Sequence, residues 1–262
     1  MDLDPVVFLG PSLGRAVAAR TLDAEFLPPV VRGDIDALLA RPRPPCLIGI
    51  VDGRFLDSLA VSPKEVLRAV DAGIPVYGSS SMGALRAAEC FPFGVTGVGR
   101  IFDAYASGAV DADDEVALVY DPDTLRATSE PLINLRFAVR AGIATGELDA
   151  AAGERFLALA KSLHFPRRTV VNVLRMLAAE GFATDGIAAY FAERAPDTKA
   201  EDALALLRAL RDRLESETSA TTDGVDTDGL VTGGMTAEGT DTDGMDTDGV
   251  AAPPGRFERA RS

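Results

Sequence analysis

Short hydrophobic runs alternate with helical stretches over the first 120 residues. Four runs, at residues 6–9, 47–51, 74–77 and 116–119, have the length and composition of buried strands. Each is followed by a longer segment with helical periodicity. This alternation is typical of a parallel sheet whose strands are joined by helices. The pattern therefore predicts an α/β fold, with a small Rossmann-like parallel sheet flanked by helices.

One of the connecting helices has clear start and stop signals. Ser62 and Glu65 have the spacing of a capping box, and Pro63 occupies the first helical position. Gly73 follows the last periodic residue and is suited to a helix C-terminus. A helix from residue 63 to about residue 72 is expected.

The strand pattern disappears after residue 131. Residues 132–214 have the periodicity of amphipathic helices, with breaks at Gly146, Pro166, Gly181 and Pro196. We therefore expect an α/β core over residues 1–125 and a helical region over residues 126–215 that packs on it.

The last segment, residues 216–262, has a different composition. It repeats Thr-Asp-Gly units, has almost no large apolar side chains, and contains ten acidic and three basic residues, which is half of the net charge of −14. Such a segment cannot bury a core and is predicted to be a disordered acidic tail. Its units resemble parts of calcium loops, but the closing glutamate of a complete loop is missing.

Charge and hydropathy limit the function classes. An acidic chain lacks the basic patch that nucleic acid requires, and no apolar stretch approaches the length of a membrane span. We therefore expect a cytoplasmic protein with neither a nucleic-acid nor a membrane partner.

The segment from residue 76 to residue 89, VYGSSSMGALRAAE, combines a strand end, a serine-rich turn and a helix start. Small and hydroxyl residues are concentrated there: Gly78, Ser79, Ser80, Ser81 and Gly83. A helix that begins at about Met82 would present free N–H groups and its positive dipole end to this turn. The turn is predicted to hold an anionic or acyl group. The structural alternative is that Ser81 only caps the helix.

Three side chains are candidates for catalysis. Ser81 is a candidate nucleophile, Arg86 could stabilise an oxyanion, and Asp52 could orient Arg86 or act as a base. The pattern leaves open whether Ser81 attacks a substrate or only anchors an anion. A water activated by Asp52 is the alternative nucleophile.

Further candidate binding residues follow the other strands or lie near the turn. They are Gly10, Ser12, Gly53, Glu89, Arg100, Asp113 and Asp114. The acidic cluster at residues 111–115 could bind magnesium or form a solvated loop, and the solvated loop is preferred. We expect no metal and no cofactor.

The histidine and the cysteines have less support. His164 is the one histidine, and the order Ser81, an acid at 113–115, then His164 is compatible with a triad. A surface or capping role is favoured for His164. Cys46 and Cys90 lack metal spacing and are expected to be buried thiols.

Five sequence blocks occur in order and carry a family resemblance. They are GPSLGR at 10–15, IGIVDGRF at 48–55, SPKEVLRAVDAGIPVYGSSSMGALRAAE at 62–89, FGVTGVGRIFDAYASGAVDADDEV at 93–116 and EPLINLR at 130–136. Together they closely resemble the TfuA-like family, with likeness from residue 5 to about residue 210.

The resemblance implies a role in ribosomal-peptide maturation. Members of the family are accessories to YcaO proteins, which activate a backbone amide with ATP so that a sulfur nucleophile can form a thioamide. The implied partners are a YcaO protein, a thiocarboxylated sulfur-carrier protein or other sulfur donor and, indirectly, the precursor peptide. The implied activity is release of sulfide from the thiocarboxylate. The alternative is a non-catalytic scaffold or allosteric activator that recruits YcaO. A nucleotide-binding protein is a third hypothesis, although residues 10–14 form neither a P-loop nor a dinucleotide fingerprint.

Overall fold

The computed structural model describes residues 4–55 and 60–223, with side chains up to residue 219. By its internal contacts the chain divides into two units, residues 1–220 and 221–262. The first unit contains the sheet and nearly all of the helical structure. The predicted tail begins at residue 216, residues 216–223 continue the last helix, and residues 224–262 lie outside the described residues.

The core is a five-stranded, entirely parallel sheet. Its strands are β1 (Val6–Phe8), β2 (Glu25–Leu27), β3 (Ile48–Ile50), β4 (Val76–Ser79) and β5 (Thr96–Val98), in the spatial order β2-β1-β3-β4-β5. Val7 is aligned with Phe26 on one side and with Gly49 on the other, which fixes the register at the centre of the sheet. The predicted α/β class with a parallel sheet is confirmed.

The sequence pattern misplaced one strand and missed two. Residues 116–119 do not pair with the sheet. They follow a 3-10 turn at Asp113–Glu115, and the Val119 amide donates to the Ser129 hydroxyl. Val116 is buried in the core although it is not in a strand. A buried apolar run of this kind has the same sequence pattern as a buried strand. The two edge strands β2 and β5 escaped prediction because they are short and partly exposed, and β5 contains a glycine.

Ten α-helices complete the described part of the chain. They are α1 (Arg15–Thr21), α2 (Asp34–Leu39), α3 (Pro63–Asp71), α4 (Met82–Cys90), α5 (Arg100–Ala106), α6 (Leu132–Ala144), α7 (Ala150–Ser162), α8 (Val170–Ala179), α9 (Asp185–Glu193) and α10 (Thr198–Asp223). The capping box of α3 is present, and the four predicted breaks after residue 131 all fall between helices. None of the helices in the described ranges is both long and apolar enough to cross a membrane.

The helices form a layer on each face of the sheet. Alternate strand residues such as Phe8 and Ile50 pack with α2, α3, α4 and α5 in one cluster. Val7 and Tyr77 point to the opposite face, where α1 and the apolar face of α10 cover them. Helices α6 to α9 enclose a separate core around Phe156 and Tyr190. The last helix therefore returns to the sheet and completes its second layer.

Two glycines allow α4 to pack directly against the sheet. A Cβ at Gly83 would lie 1.7 Å from the carbonyl oxygen of Ile50, and one at Gly78 would lie 2.1 Å from the carbonyl oxygen of Gly83. These are backbone atoms, so no side-chain rotation can relieve the overlap. The start of α4 is thereby held close to the end of β3.

Replacement of Gly83 by alanine is expected to destabilise the protein by about 3 kcal/mol or more, because the helix and the strand must separate. Gly186 in α9 provides the matched control, since a Cβ added there would have no neighbouring atom within 4 Å. Gly186→Ala should be neutral or stabilising by up to about 1 kcal/mol. Urea unfolding of both variants measures the difference, and equal midpoints would contradict the close-approach explanation.

Candidate functional site

The candidate site lies where the strand order reverses. The chain moves from β1 outward to β2 and then crosses to β3 on the other side of β1. Loops after β1 and β3 therefore diverge at the carboxyl edge of the sheet and leave a crevice, which is where open α/β sheets bind ligands. Gly10 and Ser12 follow β1, and Asp52 and Gly53 follow β3.

A buried carboxylate joins these two loops. Asp52 Oδ2 accepts hydrogen bonds from the amides of Gly10 and Ser12 at 2.9 and 3.1 Å. Its Oδ1 accepts one from the Ser12 hydroxyl at 2.6 Å. These bonds satisfy both oxygens of a carboxyl group that has almost no solvent exposure. Asp52 therefore holds the crevice in shape.

A cleft of about 880 Å³ opens above this carboxylate. Asp52, Gly53 and Ser81 contribute to its lining. Its walls are mainly apolar and include Leu27, Pro28, Pro29, Val31, Leu38, Leu118, Val119 and Phe165, while Asp34, Arg41, Arg54 and Tyr120 add polar groups. A concave site with apolar walls and a few polar groups on its lining is typical of small-molecule or peptide-end binding.

The serine-rich turn has an unusual backbone. Ser80 has a φ of 66°, in the left-handed region, and the Ser81 amide donates to the Ser79 carbonyl oxygen at 2.8 Å. This tight turn connects β4 directly to α4. A non-glycine residue in this region costs free energy and is enriched at functional sites.

The three hydroxyls of this turn point to different partners. Ser79 Oγ donates to the carbonyl oxygens of Val98 and Asp202, and Ser80 Oγ donates to that of Lys199 at 2.9 Å. Ser81 alone among the three lines the cleft. The three hydroxyls therefore do not point to one common site, because two of them anchor α10.

Lys199, in the first turn of α10, contacts the side of Ser81 that faces the protein interior. Its Nζ donates to Ser81 Oγ at 3.0 Å and to the Val116 carbonyl oxygen at 3.1 Å. Only 2% of the residue is exposed. Burial lowers the pKa of the Lys199 ammonium, against the opposing effect of carboxylates at Asp52, Asp197 and Glu130. Ser81 thus lies between the cleft and a buried amine.

Lys199 was not among the predicted site residues, although its position in the sequence pattern is unusual. Lys199 is four residues before Ala203 and seven before Leu206, so it lies on the apolar face of α10. A lysine on the buried face of an amphipathic helix is rare unless it has a partner. The pattern marks the residue as unusual, but it does not reveal that Ser81 is the partner.

Three predicted charged neighbours of the turn, Arg86, Glu89 and Arg100, make contacts elsewhere. The guanidinium of Arg86 donates to the Val61 carbonyl oxygen at 2.7 Å and pairs with Glu89 at 2.6 Å. Arg100 pairs with Glu201 and lies over the ring of Phe137. None of these side chains is among the cleft-lining residues. Their predicted roles in anion binding stay predictions, without a supporting contact in the described structure.

Two residues of the acidic cluster at 111–115 form ion pairs with arginines from other parts of the chain. Asp114 pairs with the buried guanidinium of Arg168 at 3.0 Å, and Glu115 forms a bidentate pair with Arg136. Asp113 lies beside them in the same 3-10 turn. Within the described ranges, no group of histidine, cysteine and acidic side chains has the arrangement of a metal site.

The glycines around the crevice have packing roles. A Cβ at Gly10 would lie 2.5 Å from Pro29 Cγ, and one at Gly53 would lie 2.7 Å from Met82 Cγ. Larger residues at either position would push the loops apart. Gly10 and Gly53 therefore keep the crevice walls close to Asp52.

His164 and the cysteines are not among the residues that line the cleft with Ser81. His164 is exposed and its ring packs beside Phe165. Burial raises the pKa of both thiols, Cys46 and Cys90, which opposes thiolate formation. A buried lysine, rather than a histidine, is the basic group in contact with Ser81.

The fold and the site define an α/β protein with a crevice at the topological switch point and a serine–lysine pair beside it. The model of the family described as TfuA-like protein matches residues 52–169, a segment that includes Asp52 and the serine-rich turn. Residues 52–169 are therefore similar to a TfuA-like domain, which supports the resemblance that the sequence blocks indicated. No curated protein matches the chain significantly.

Replacement of Asp52 by asparagine is expected to destabilise the fold by about 2–3 kcal/mol, because the amide cannot accept all three hydrogen bonds and loses the charge. Asp71→Asn, at an exposed position in α3, is the control and should change stability by less than about 0.5 kcal/mol. Chemical denaturation near neutral pH provides both values. Equal stability of the two variants would show that Asp52 does not hold the loops.

Proposed function

We propose that this chain is a hydrolase that releases sulfide from a thiocarboxylated sulfur-carrier protein and so supplies sulfur to YcaO-dependent thioamidation. The TfuA-like family is associated with YcaO-dependent modification. In this proposal the YcaO protein consumes the sulfide, and the precursor peptide is an indirect partner. The proposed chemistry uses protein groups alone.

The observation that carries the proposal is the environment of Ser81. Its hydroxyl lies at the lining of the cleft and contacts Lys199 Nζ at 3.0 Å. A serine hydroxyl is a weak nucleophile unless a basic group lies within hydrogen-bond distance, and a lysine amine can be that group. This arrangement supports acyl-transfer chemistry at Ser81 over the alternative water activated by Asp52. Three protein donors already occupy the carboxylate oxygens of Asp52, which leaves little acceptor capacity for the proton of a water.

The proposed reaction proceeds through an acyl-serine. Ser81 Oγ adds to the carbonyl carbon of the thiocarboxylate, the carbon–sulfur bond breaks, and hydrosulfide leaves. Water then cleaves the ester and restores the hydroxyl. The tetrahedral intermediate needs hydrogen-bond donors for its oxyanion. The amides of Gly83, Ala84 and Leu85 already donate to the carbonyl oxygens of Val51 and Ser81. We therefore assign the oxyanion to the amide of Met82, the first residue of α4, at the positive end of the helix dipole.

The size of the cleft supports a substrate with an attached chain. A cleft of about 880 Å³ is much larger than a terminal acyl group, and its mainly apolar walls suit a short length of peptide. A carrier protein whose C-terminal end reaches Ser81 would use this space. We propose that the carrier inserts its last residues and that its folded part stays outside.

A second candidate function, a scaffold that recruits YcaO, is favoured by exposed aromatic side chains. Phe91 and Phe93 follow α4 and are 49% and 63% exposed. Neighbouring exposed aromatic side chains are typical of protein-contact surfaces. This surface is formed by the 3-10 turn after α4, at the opposite end of that helix from Ser81.

Ser81→Ala is expected to lower sulfide release from a purified thiocarboxylated carrier by at least about 100-fold, because the nucleophile is lost. Ser107→Ala is the control, since Ser107 is exposed and its hydroxyl donates within its own helix. Sulfide is measured with a fluorescent trapping reagent. Undiminished release by Ser81→Ala would reject serine catalysis.

The two candidate functions are separated by a double variant. Phe91→Ser with Phe93→Ser should leave sulfide release unchanged, because the two side chains lie away from the cleft lining. If the chain is a scaffold, the same variant weakens binding to the cognate YcaO, as measured by calorimetry. Unchanged binding would remove this surface as the recruitment site.

A further inference from the structure

We propose that residues 117–129, which we call the strap, hold the end of the carrier chain in extended form, about four residues of it, and so select a chain end as substrate. This inference rests on the hydrolase activity proposed above and adds the element that determines its specificity. The strap follows the 3-10 turn at Asp113–Glu115 and ends before α6. It belongs to neither the sheet nor the helices.

The strap has the shape of a short hairpin. Tyr120 and Ala127 form an antiparallel bridge, and the amide of Thr128 donates to the Val119 carbonyl oxygen at 2.8 Å. The amide of Val119 donates to the hydroxyl of Ser129, which is buried. These bonds hold the two arms of the strap together, so its side chains have fixed positions.

The strap crosses the carboxyl edge of the sheet. At its start, the Val116 carbonyl oxygen and Ser81 Oγ, after β4, have the same buried amine as their partner. At its tip, Pro122 and Leu125 line a smaller cavity of about 210 Å³ together with residues 27–28, at the end of β2. The strap therefore runs from the end of β4 to the end of β2.

The large cleft lies between the strap and the strand ends. Leu118, Tyr120 and Leu125 of the strap line one side, and Ser81 and the loops after β1, β2 and β3 line the other. A chain that enters at the β2 end and reaches Ser81 would therefore lie beneath the strap. A folded substrate surface would not fit in this space, whereas a single extended chain would.

The sheet geometry gives the length of this path. From β2 to β4 there are three steps between neighbouring strands, in the order β2-β1-β3-β4. Steps of about 4.8 Å give a path of about 14 Å. An extended chain advances about 3.3 Å per residue, so about four residues fit between Ser81 and the loop after β2.

Leu125 at the tip of the strap has a strained backbone. Its φ of 56° lies in the left-handed region, which is uncommon for a bulky side chain and costs free energy. Glycine adopts this conformation without that cost. The Leu125 side chain lines both the cleft and the smaller cavity. The strain is therefore borne at a position where an apolar side chain closes the far end of the path.

Tyr120 provides a hydrogen-bond donor in the middle of the path. The charges of Asp52 and Arg54, which follow β3, both act on the pKa of Tyr120, so its phenol lies near the end of that strand. Burial raises the pKa, and the hydroxyl therefore stays protonated at neutral pH. Among the described residues the hydroxyl has no hydrogen-bond partner. It can donate to a peptide carbonyl oxygen of the bound chain.

The test uses the full chain and acetylated alanine peptides of one to about six residues, each with a thiocarboxylate at its C-terminus. Sulfide release is measured with a fluorescent trapping reagent. We expect kcat/KM to rise by at least about 10-fold as the peptide grows to about four residues, and then to level off, because longer peptides extend past the strap.

Leu125→Gly removes the side chain at the far end and relieves the backbone. In this variant the four-residue peptide should lose at least about 10-fold more in kcat/KM than the one-residue peptide, and the loss should fall on KM. Val171→Ala is the control, since Val171 is 64% exposed on α8 and is not among the cleft-lining residues. It should behave like the native chain with every peptide.

Tyr120→Phe keeps the ring and removes only the hydroxyl. It should raise KM for the four-residue peptide by about 5-fold, the effect of one hydrogen bond. Tyr105→Phe is the matched control, because the Tyr105 hydroxyl donates to the Ala112 carbonyl oxygen and the residue does not line the cleft. This control should lose stability without a change in KM. Circular dichroism establishes that each variant is folded, and the native length series tests the inference even if a variant is not.

A native length series that is flat would overturn the inference, as would folded Leu125→Gly with the native dependence on length. These outcomes are distinct from failure of the proposed function. If no peptide releases sulfide, calorimetric binding of the same peptides with ordinary carboxyl termini decides the role of the strap, and the hydrolase is rejected. If all peptides release sulfide at the same rate, the hydrolase is supported and the strap is rejected as the specificity element.

Discussion

The structure depends on the burial of one amine beneath a strand-to-helix turn. Lys199 Nζ contacts Ser81 Oγ at 3.0 Å, and the hydroxyl of Ser80 binds the backbone of the same lysine. Burial of an amine is costly unless its polar atoms are satisfied or its charge is removed. The turn, α10 and the irregular segment at Val116 meet around this atom. Each of these elements therefore has a constrained position, and together they set the orientation of the Ser81 hydroxyl at the cleft.

Two separate sets of polar contacts determine the shape of the site. Asp52 binds the loops after β1 and β3 and holds the crevice in shape, while Lys199 and Asp202 bind α10 to the carboxyl end of β4 and the start of α5. Gly83 has no side chain, which lets α4 pack directly against β3. The Ser81 hydroxyl is therefore held between two fixed supports. Such rigidity suits chemistry that depends on a short and constant distance between nucleophile and base.

Much of the fold was predictable because central parallel strands are buried on both faces and read as hydrophobic runs. The edge strands β2 and β5 are short and partly exposed, so they lack a hydrophobic run. The segment at buried Val116 has such a run but forms no strand. The serine turn was also found, since glycines and hydroxyls cluster before a helix. The directions of its hydroxyls were not predictable, because they depend on Ser80's left-handed backbone and on a helix 118 positions later. The sequence marks Lys199 only as an unusual lysine on the apolar face of a helix. Its contact with Ser81 cannot be predicted from a single sequence.

Ser81 and Lys199 are far apart in sequence, so the contacts around Ser81 are completed late in the synthesis of the chain. The sheet strands and α4 precede α10 on the chain, so a ribosome delivers them earlier. Until residues 198–202 emerge, the hydroxyls of Ser79 and Ser80 lack their final acceptors and Ser81 lacks its amine. Before α10 is made, one face of the sheet and the Ser81 hydroxyl thus both lack their contacts with this helix. The order of synthesis therefore completes the surroundings of Ser81 only when the last helix has docked.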